Sequence, residues 1–105
     1  MKYYAVAEIN ITDPAWVPEY VERTTPLVER FGGKYLARTG QIEQIEAERP
    51  APGVFLLVEW PSKEAALDFY DSEEYRPYRT ARQAGSTGQF TLIAGEDTTG
   101  AARID

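Results

Sequence analysis

The segment Val54-Phe55-Leu56-Leu57-Val58-Glu59-Trp60 is an apolar run with the length of a β-strand. Pro61-Ser62 follows directly, and this pair predicts the end of the strand and the capping residue of a helix. An almost continuous apolar run is typical of a strand in the middle of a sheet, where both faces are covered. We therefore predict a central strand over residues 54–60 and a helix directly after it.

The N-terminal third predicts a strand followed by a helix. Residues 2–11 alternate between a uniformly apolar set and a set that changes from apolar to polar, as in a half-buried strand. Thr12-Asp13-Pro14 combines capping side chains with a proline, which predicts the start of a helix. We expect Pro26 to interrupt and kink this helix, and Gly32-Gly33 to end it.

Shorter patterns mark the remaining strands. We expect strand two over residues 34–39, with a bend or bulge at Gly40 and a continuation through residues 41–46. Residues 85–88 are predicted to form a loop, and residues 89–94 to form strand four. A second helical region between strands three and four completes the pattern.

The resulting element order is β-α-β-β-α-β, the split arrangement of ferredoxin-like α+β domains. We expect a four-stranded antiparallel sheet with both helices on one face and the other face open. The open face would expose apolar side chains on a monomer, namely Val6, Leu36, Phe55, Leu57 and Ile93. We therefore predict a homodimer in which two such sheets face each other. The domain covers residues 1–96, and residues 97–105 lack periodicity, which predicts a flexible tail.

The composition argues against several classes of partner. The 105 residues include 17 acidic and 11 basic side chains, and the net charge of −6 disfavours nucleic acid as a partner. No apolar run reaches the length of a membrane-spanning helix, and the first residues enter a strand pattern instead of a signal peptide. We expect a cytoplasmic protein with no membrane partner and no nucleic-acid partner.

The sequence contains neither cysteine nor histidine. Thiolate nucleophiles, serine–histidine triads and histidine-ligated zinc, iron or haem are thereby excluded within these residues. No set of acidic residues has the spacing of a calcium loop, and no glycine-rich phosphate loop is present. We expect no cofactor and no metal. Any acid–base chemistry must come from Glu, Asp, Tyr, Lys or the substrate itself.

A wider set of residues resembles the proteins grouped as domain of unknown function 1330, within the dimeric α/β-barrel superfamily. The resemblance spans residues 2–96 and is carried by Gly32-Gly33, Leu36, Arg38, Val58-Glu59-Trp60-Pro61-Ser62, Ala65-Ala66, Tyr70, Ser72-Glu73-Glu74-Tyr75, Arg82 and Gly95. It implies a dimeric α/β barrel, with a pocket between sheet and helices in each subunit. The family has no generally assigned reaction, so the resemblance implies no particular substrate.

Arg38 and Glu59 form the first candidate pair for chemistry. A hairpin closed around residues 47–53 would place them side by side on the open face of the sheet. Arg38 would then hold a substrate carboxylate or enolate while Glu59 moves a proton. The alternative is a salt bridge that fixes the strand register or the dimer, because structural ion pairs are common at such positions.

Four tyrosines and one arginine form a second candidate group, which would line a pocket and bind the substrate: Tyr4, Tyr20, Tyr70, Tyr75 and Arg82. Aromatic walls beside a cation suit a small anionic or aromatic compound. In the alternative interpretation, the rings only pack against the sheet and the arginines of this region pair with acidic residues in solvent. A buried tyrosine hydroxyl can likewise orient a ligand or only bond a backbone carbonyl.

Three functions are compatible with these patterns. The first is a cofactor-independent enzyme that acts on a small organic acid or an aromatic metabolite. By analogy with the barrel superfamily, it would act by proton transfer or as an isomerase, lyase or monooxygenase. The second is a non-catalytic small-molecule-binding or regulatory module that uses the same pocket. The third is a purely structural dimer. The sequence leaves open whether the chain is an enzyme.

Overall fold

Capping side chains mark the starts of two helical segments in the computed structural model. Asp13 accepts a hydrogen bond from the Ala15 N–H at 3.0 Å and begins a 3-10 turn, Pro14–Trp16, that leads into the first helix. Ser62 Oγ accepts a hydrogen bond from the Ala65 N–H at 3.1 Å and caps the second helix. Both helix starts agree with the sequence prediction.

The structure describes residues 1–104 and has the predicted order of strands, with the second helical region divided in two. The elements are β1 (Tyr3–Ile11), α1 (Val17–Arg30), β2 (Lys34–Thr39), β3 (Val54–Trp60), α2 (Lys63–Tyr70), α3 (Arg76–Ala84) and β4 (Ser86–Ala94). The strands form one antiparallel sheet in the order β2-β3-β1-β4. The predicted α+β ferredoxin-like fold is confirmed.

The hydrophobic core lies between the helices and one face of the sheet. Alternate residues of the two central strands are buried there with residues of the helical segments: Ala5, Ala7, Ile9, Leu56, Val58, Trp60, Leu27, Val28, Ala66, Phe69 and Tyr75. The intervening residues point to the opposite face. On that face Val6, Phe55 and Leu57 are half-buried, and Leu36 and Ile93 are 44% and 48% exposed. The predicted open apolar face is therefore present in the chain.

The predicted course of the second strand is wrong beyond Thr39. Residues 40–53 form no strand and make a long connection to β3. The bend predicted at Gly40 is present, but a bulge lies earlier, where the pairing with β3 shifts between Tyr35 and Ala37. Because a bulge adds a residue to one strand, the side chains beyond it exchange faces.

Two further boundaries differ from the prediction. β4 begins at Ser86, so most of residues 85–88 belongs to a strand and not to a loop. Gly88 permits this pairing with a φ of +148°, since an added Cβ would collide with the Glu8 carbonyl of β1. Pro26 lies inside α1 without ending it, because its missing N–H frees only one carbonyl of the preceding turn.

The segment after β4 is held by one carboxylate. Asp97 accepts hydrogen bonds from the Thr99 hydroxyl and from the Ala102 N–H, both at 2.7 Å. These bonds, with that from Thr99 the strongest, lower the pKa of Asp97. The flexibility of residues 97–105 stays a prediction, and Asp105 lies outside the described residues. Within the described part of the chain, no helix is long and apolar enough to cross a membrane.

Candidate functional site

A cavity of about 310 Å³ lies between the sheet and helices α1 and α2. Its walls are mostly aromatic and aliphatic, with a few hydroxyl groups: Ala5, Tyr20, Thr24, Val28, Tyr35, Leu56, Val58, Trp60, Ala66, Leu67, Phe69, Tyr70, Phe90 and Leu92. We call this space the central cavity. Its volume lies at the lower end of the range for small-molecule sites. None of these lining residues is an acid, a lysine or an arginine, so an apolar guest with few polar groups suits the space best.

Two tyrosine hydroxyls meet at the edge of the central cavity. Tyr20 on α1 and Tyr75, just before α3, share a hydrogen bond with 2.5 Å between their oxygens. Tyr75 is fully buried, whereas Tyr20 lines the cavity. Burial, and then the neighbouring Tyr75, raise the pKa of Tyr20 well above its ordinary value. Tyr20 therefore stays protonated at neutral pH, where it can donate a hydrogen bond but cannot act as a general base.

A turn before α3 fixes the position of Tyr75. Ser72 Oγ donates to the Phe69 carbonyl at 2.8 Å and accepts from the Tyr75 N–H at 3.2 Å. The Tyr75 ring packs against Phe69 and Tyr70, with centroid distances of 4.3 Å and 6.0 Å. The short segment from Ser72 to Tyr75 thus places one phenol deep in the core.

Arg82 is a buried cation next to the tyrosine pair. It is 8% exposed, and its guanidinium carbon lies 5.0 Å from the centre of the Phe90 ring. Its Nε and Nη2 have no hydrogen-bond partner within residues 1–104, and the same holds for Oγ1 of Thr24, a residue that lines the central cavity. Buried polar groups are normally paired. These groups are therefore available to a ligand or to ordered water.

Tyr70 borders the central cavity from α2. Its ring lies 5.9 Å from that of Phe90, and the Arg79 guanidinium stacks on it at 5.0 Å. Arg79 also donates to the Tyr70 carbonyl at 2.5 Å and lies 3.7 Å from Asp71. Arg79 is thus occupied by its own neighbours, in agreement with the structural interpretation, whereas Tyr70 faces the cavity.

A second cavity of about 260 Å³ adjoins the first, and Tyr20, Tyr35 and Leu56 border both. Arg38 lines the second cavity. Its guanidinium stacks on the Tyr35 ring at 4.5 Å and donates to Thr25 Oγ1 at 3.1 Å. Burial raises the pKa of Tyr35, and the Arg38 charge opposes part of that rise. Arg38 therefore lies on the helix-covered side of the sheet.

The predicted proximity of Arg38 and Glu59 is wrong. Arg38 lies opposite Leu56 on the covered face, because the bulge in β2 turns it away from the open face. Glu59 lies on the open face, opposite Tyr4, and pairs with Lys2 at 3.3 Å. The two residues cannot act on one substrate atom within one chain, and their separate roles stay predictions.

The predicted tyrosine group is brought together in part. Tyr20 and Tyr70 line the central cavity, and Tyr75 and Arg82 lie beside Tyr20. Tyr4 lies on the open face of the sheet, because it alternates with the buried Ala5 of the same strand. The expectation that Tyr4 shares a cavity with the other tyrosines is therefore wrong.

Two lining residues that carry hydroxyl groups, Thr24 and Tyr35, were not predicted. Thr24 lies one helical turn from Tyr20 and one turn from Val28, and this spacing was the signal that could have found it. Tyr35 adjoins the bulge, whose position the alternation of side chains does not reveal. Among residues 1–104, no group of three or more acidic side chains could hold a metal ion.

Comparison with known proteins agrees with this architecture. The family described as "Domain of unknown function (DUF1330)" matches residues 2–96. Among curated proteins, no sequence matches the chain.

Several solved structures resemble the chain. The RPA0582 protein of Rhodopseudomonas palustris, in methylated form, is 15% identical, with 92% of this chain and 82% of that chain covered and a TM-score of 0.75. SnoaB, a cofactor-independent oxygenase from Streptomyces nogalater, is 19% identical, with 92% and 95% covered and a TM-score of 0.63. An antibiotic biosynthesis monooxygenase is 19% identical, with 92% and 100% covered and a TM-score of 0.52. At these identities the similarity establishes the fold alone.

Proposed function

The chain belongs to the DUF1330 family, and we propose that it is a cofactor-independent enzyme that binds a small aromatic metabolite in the central cavity. The observation that carries the proposal is the wall of that cavity, in which aromatic and aliphatic side chains surround about 310 Å³. The transfer of an aromatic ring from water into such a space is favourable, because its apolar surface is removed from water. The tyrosine and threonine hydroxyls of the wall supply hydrogen bonds for one or two oxygen atoms on the ring.

The charge pattern favours an aromatic metabolite over a small organic acid. Arg38 lines the second cavity, and Arg82 is not among the lining residues of the central cavity. A compact carboxylate in the central cavity would lose its hydration without meeting a cation directly. An aromatic compound with a hydroxyl or carbonyl group lowers that cost, because a charge on its oxygen is delocalised over the ring and the ring itself is apolar.

A neutral phenol supports catalysis by hydrogen bonding to a developing negative charge. Because its pKa is raised, Tyr20 can stabilise an enolate or phenolate oxygen without losing its own proton. The fold similarity to SnoaB, described as a cofactor-independent oxygenase, adds an argument by analogy. The proposed reaction relies on the reactivity of the bound substrate and on no bound cofactor.

A non-catalytic small-molecule-binding or regulatory module is the second candidate. One observation favours it, since the lining residues of the central cavity include no carboxylate and no amine. General acid–base catalysis normally uses such a group. Turnover of a bound compound separates the two candidates.

We also propose that the functional unit is a homodimer formed through the open sheet face. The centre of this face is apolar and consists of Val6, Leu36, Phe55, Leu57 and Ile93. Ion pairs stand at its edge, with Lys2 bound to Glu59 and Arg49 bound to Glu8. An apolar centre with a charged rim is typical of subunit interfaces, and a second copy offers the same surface. Light scattering should report twice the chain mass, and a stable monomer would contradict the dimer.

Binding of phenols tests the cavity directly. We expect substituted phenols and naphthols to bind the wild-type protein with measurable heat in isothermal titration calorimetry. Ala66→Leu fills the central cavity and should abolish this binding, because Ala66 is buried in its wall. Ala81→Leu adds the same side chain at an exposed position of α3 and should bind normally. Equal binding by both variants, or no binding by the wild type, would overturn the proposed site.

Turnover is measured on the compounds that bind. Each ligand is incubated in air with the wild-type protein and with Ala66→Leu, and the products are analysed by mass spectrometry. Product in excess of the protein, formed by the wild type alone, supports the enzyme. Ligands that are bound and recovered unchanged support the binding module.

A further inference from the structure

The surroundings of Arg82 leave its positive charge without an acidic partner. Within residues 1–104, none of the ion pairs involves Arg82, and its Nε and Nη2 lack hydrogen-bond partners. The side chain is more than nine-tenths buried, and burying an unpaired charge in this way is costly. The phenols of Tyr75, Tyr20 and Tyr70 act on its charge, with that of Tyr75 first. A buried guanidinium without an acidic partner in the chain indicates a ligand that supplies negative charge.

The hydrogen bond between Tyr75 and Tyr20 can run in either direction, because each phenol can donate or accept. A guanidinium can only donate, so the Tyr75 oxygen beside Arg82 presents a lone pair to the cation. When a ligand oxygen lies in the central cavity, which Tyr20 lines, Tyr20 can direct its hydrogen to the ligand and accept the hydrogen of Tyr75, 2.5 Å away. Because Arg82 polarises Tyr75 and Tyr75 polarises Tyr20, the Tyr20 hydroxyl is a stronger hydrogen-bond donor toward the cavity.

We propose that Arg82, Tyr75 and Tyr20 act as one unit that binds an anionic oxygen of the ligand, a phenolate or an enolate, through the Tyr20 hydroxyl. The inference rests on the proposed function, because the ligand oxygen must lie in the central cavity. Tyr20 contacts the ligand, whereas Tyr75 and Arg82 are positioning residues that strengthen its donor. The unpaired Thr24 hydroxyl, one turn along α1, belongs to the same wall and offers a second hydrogen bond.

The probe 4-nitrophenol tests this unit, since its absorbance distinguishes the phenol from the phenolate while it is bound. We expect Tyr20→Phe to reduce the preference of the bound probe for its phenolate form about tenfold, because the charge-assisted hydrogen bond is lost. Tyr75→Phe and Arg82→Gln should each reduce that preference about threefold, since the donor remains but is weaker. Tyr78→Phe removes the hydroxyl of a half-buried tyrosine of α3 that does not line the cavity, and it should leave the preference unchanged.

Other titratable side chains lie near the unit. Tyr35 of β2 and Tyr70 of α2 are the phenols nearest the pair, and Arg38 and Glu29 act on Tyr35. The absorbance is read between about pH 5 and pH 9, where ordinary phenols, guanidinium groups and carboxylates do not change protonation. The change in absorbance therefore reports the probe alone.

The ratio of the two probe forms separates an electrostatic role from a structural one. Substitution of residues that only hold the fold would weaken the binding of phenol and phenolate equally. An unchanged ratio in all three variants therefore overturns the proposed unit but leaves the central cavity as the binding site. If circular dichroism shows that Arg82→Gln is unfolded, the two phenylalanine variants still decide. A wild-type protein that binds neither 4-nitrophenol nor any other phenol overturns both this inference and the proposed function.

Discussion

The hydrogen bond between Tyr20 and Tyr75 leads to a quantitative prediction about stability. Tyr75 is fully buried, so Tyr20→Phe leaves the Tyr75 hydroxyl without its hydrogen-bond partner in the core. A stranded buried donor costs about 1–3 kcal/mol, and we expect a loss of about 2 kcal/mol in the free energy of unfolding. Tyr75→Phe leaves Tyr20 facing the central cavity, where water can replace the lost partner, but it also removes the phenol oxygen beside the buried Arg82 guanidinium, so we expect a loss of about 3 kcal/mol.

The double variant Tyr20→Phe with Tyr75→Phe strands neither phenol and leaves only Arg82 without its neighbouring oxygen. Its loss should equal that of Tyr75→Phe alone, about 3 kcal/mol, although the single losses sum to about 5 kcal/mol. The coupling energy is then about 2 kcal/mol. This exceeds the scatter of about 0.3–0.5 kcal/mol found for independent positions.

Urea unfolding followed by circular dichroism measures these losses. All variants are compared at one protein concentration, because the stability of a dimer depends on it. For a slope of about 1–2 kcal/mol per molar urea, a loss of 1 kcal/mol moves the midpoint by roughly 0.5–1 M. Tyr78→Phe is the control, since it removes a phenol hydroxyl elsewhere on the core. Losses that simply add, or a greater loss for Tyr20→Phe than for Tyr75→Phe, would refute the reasoning.

Three further predictions concern packing, the open face and pH. Gly33→Ala would place a Cβ 2.9 Å from the Trp60 ring, so we expect the free energy of unfolding to fall by about 1–3 kcal/mol. An unchanged Tm in scanning calorimetry would contradict this close packing. Glu59→Gln breaks the partly exposed ion pair with Lys2 and should change the free energy of unfolding by less than about 1 kcal/mol. A loss above about 2 kcal/mol in urea unfolding would contradict this weak contribution of the pair. The folded-state pKa of Tyr20 lies above its ordinary value of 10.0, so the unfolded chain releases this proton more readily. The contribution of Tyr20 to stability is therefore complete below about pH 10 and falls as the pH rises further. Urea midpoints measured at increasing pH should fall more steeply for the wild type than for Tyr20→Phe. Equal slopes for the two proteins would contradict the raised pKa of Tyr20.

Local signals in the sequence are enough to predict the fold, because each one acts over a few residues. The capping oxygens of Asp13 and Ser62 lie where helices begin, and their bonds reach only two or three residues ahead. The apolar run of residues 54–60 is the central strand that its composition predicts. These elements, in this order, leave little choice of topology.

The candidate site is less predictable, because it depends on register between strands. One bulge in β2 moves Arg38 from the expected open face to the covered face, and alternation alone cannot place a bulge. The contact between Tyr20 and Tyr75 joins residues 55 positions apart. No local pattern encodes such a pairing, although the helical spacing of Tyr20, Thr24 and Val28 does predict that they share one face of α1.

A crystal structure of the protein grown with 4-nitrophenol tests the central cavity as a ligand site most directly. We expect the probe to lie between the sheet and helices α1 and α2, with its phenol oxygen within hydrogen-bond distance of Tyr20 Oη. A probe bound only elsewhere on the surface, with the central cavity empty at saturating concentration, would contradict the account.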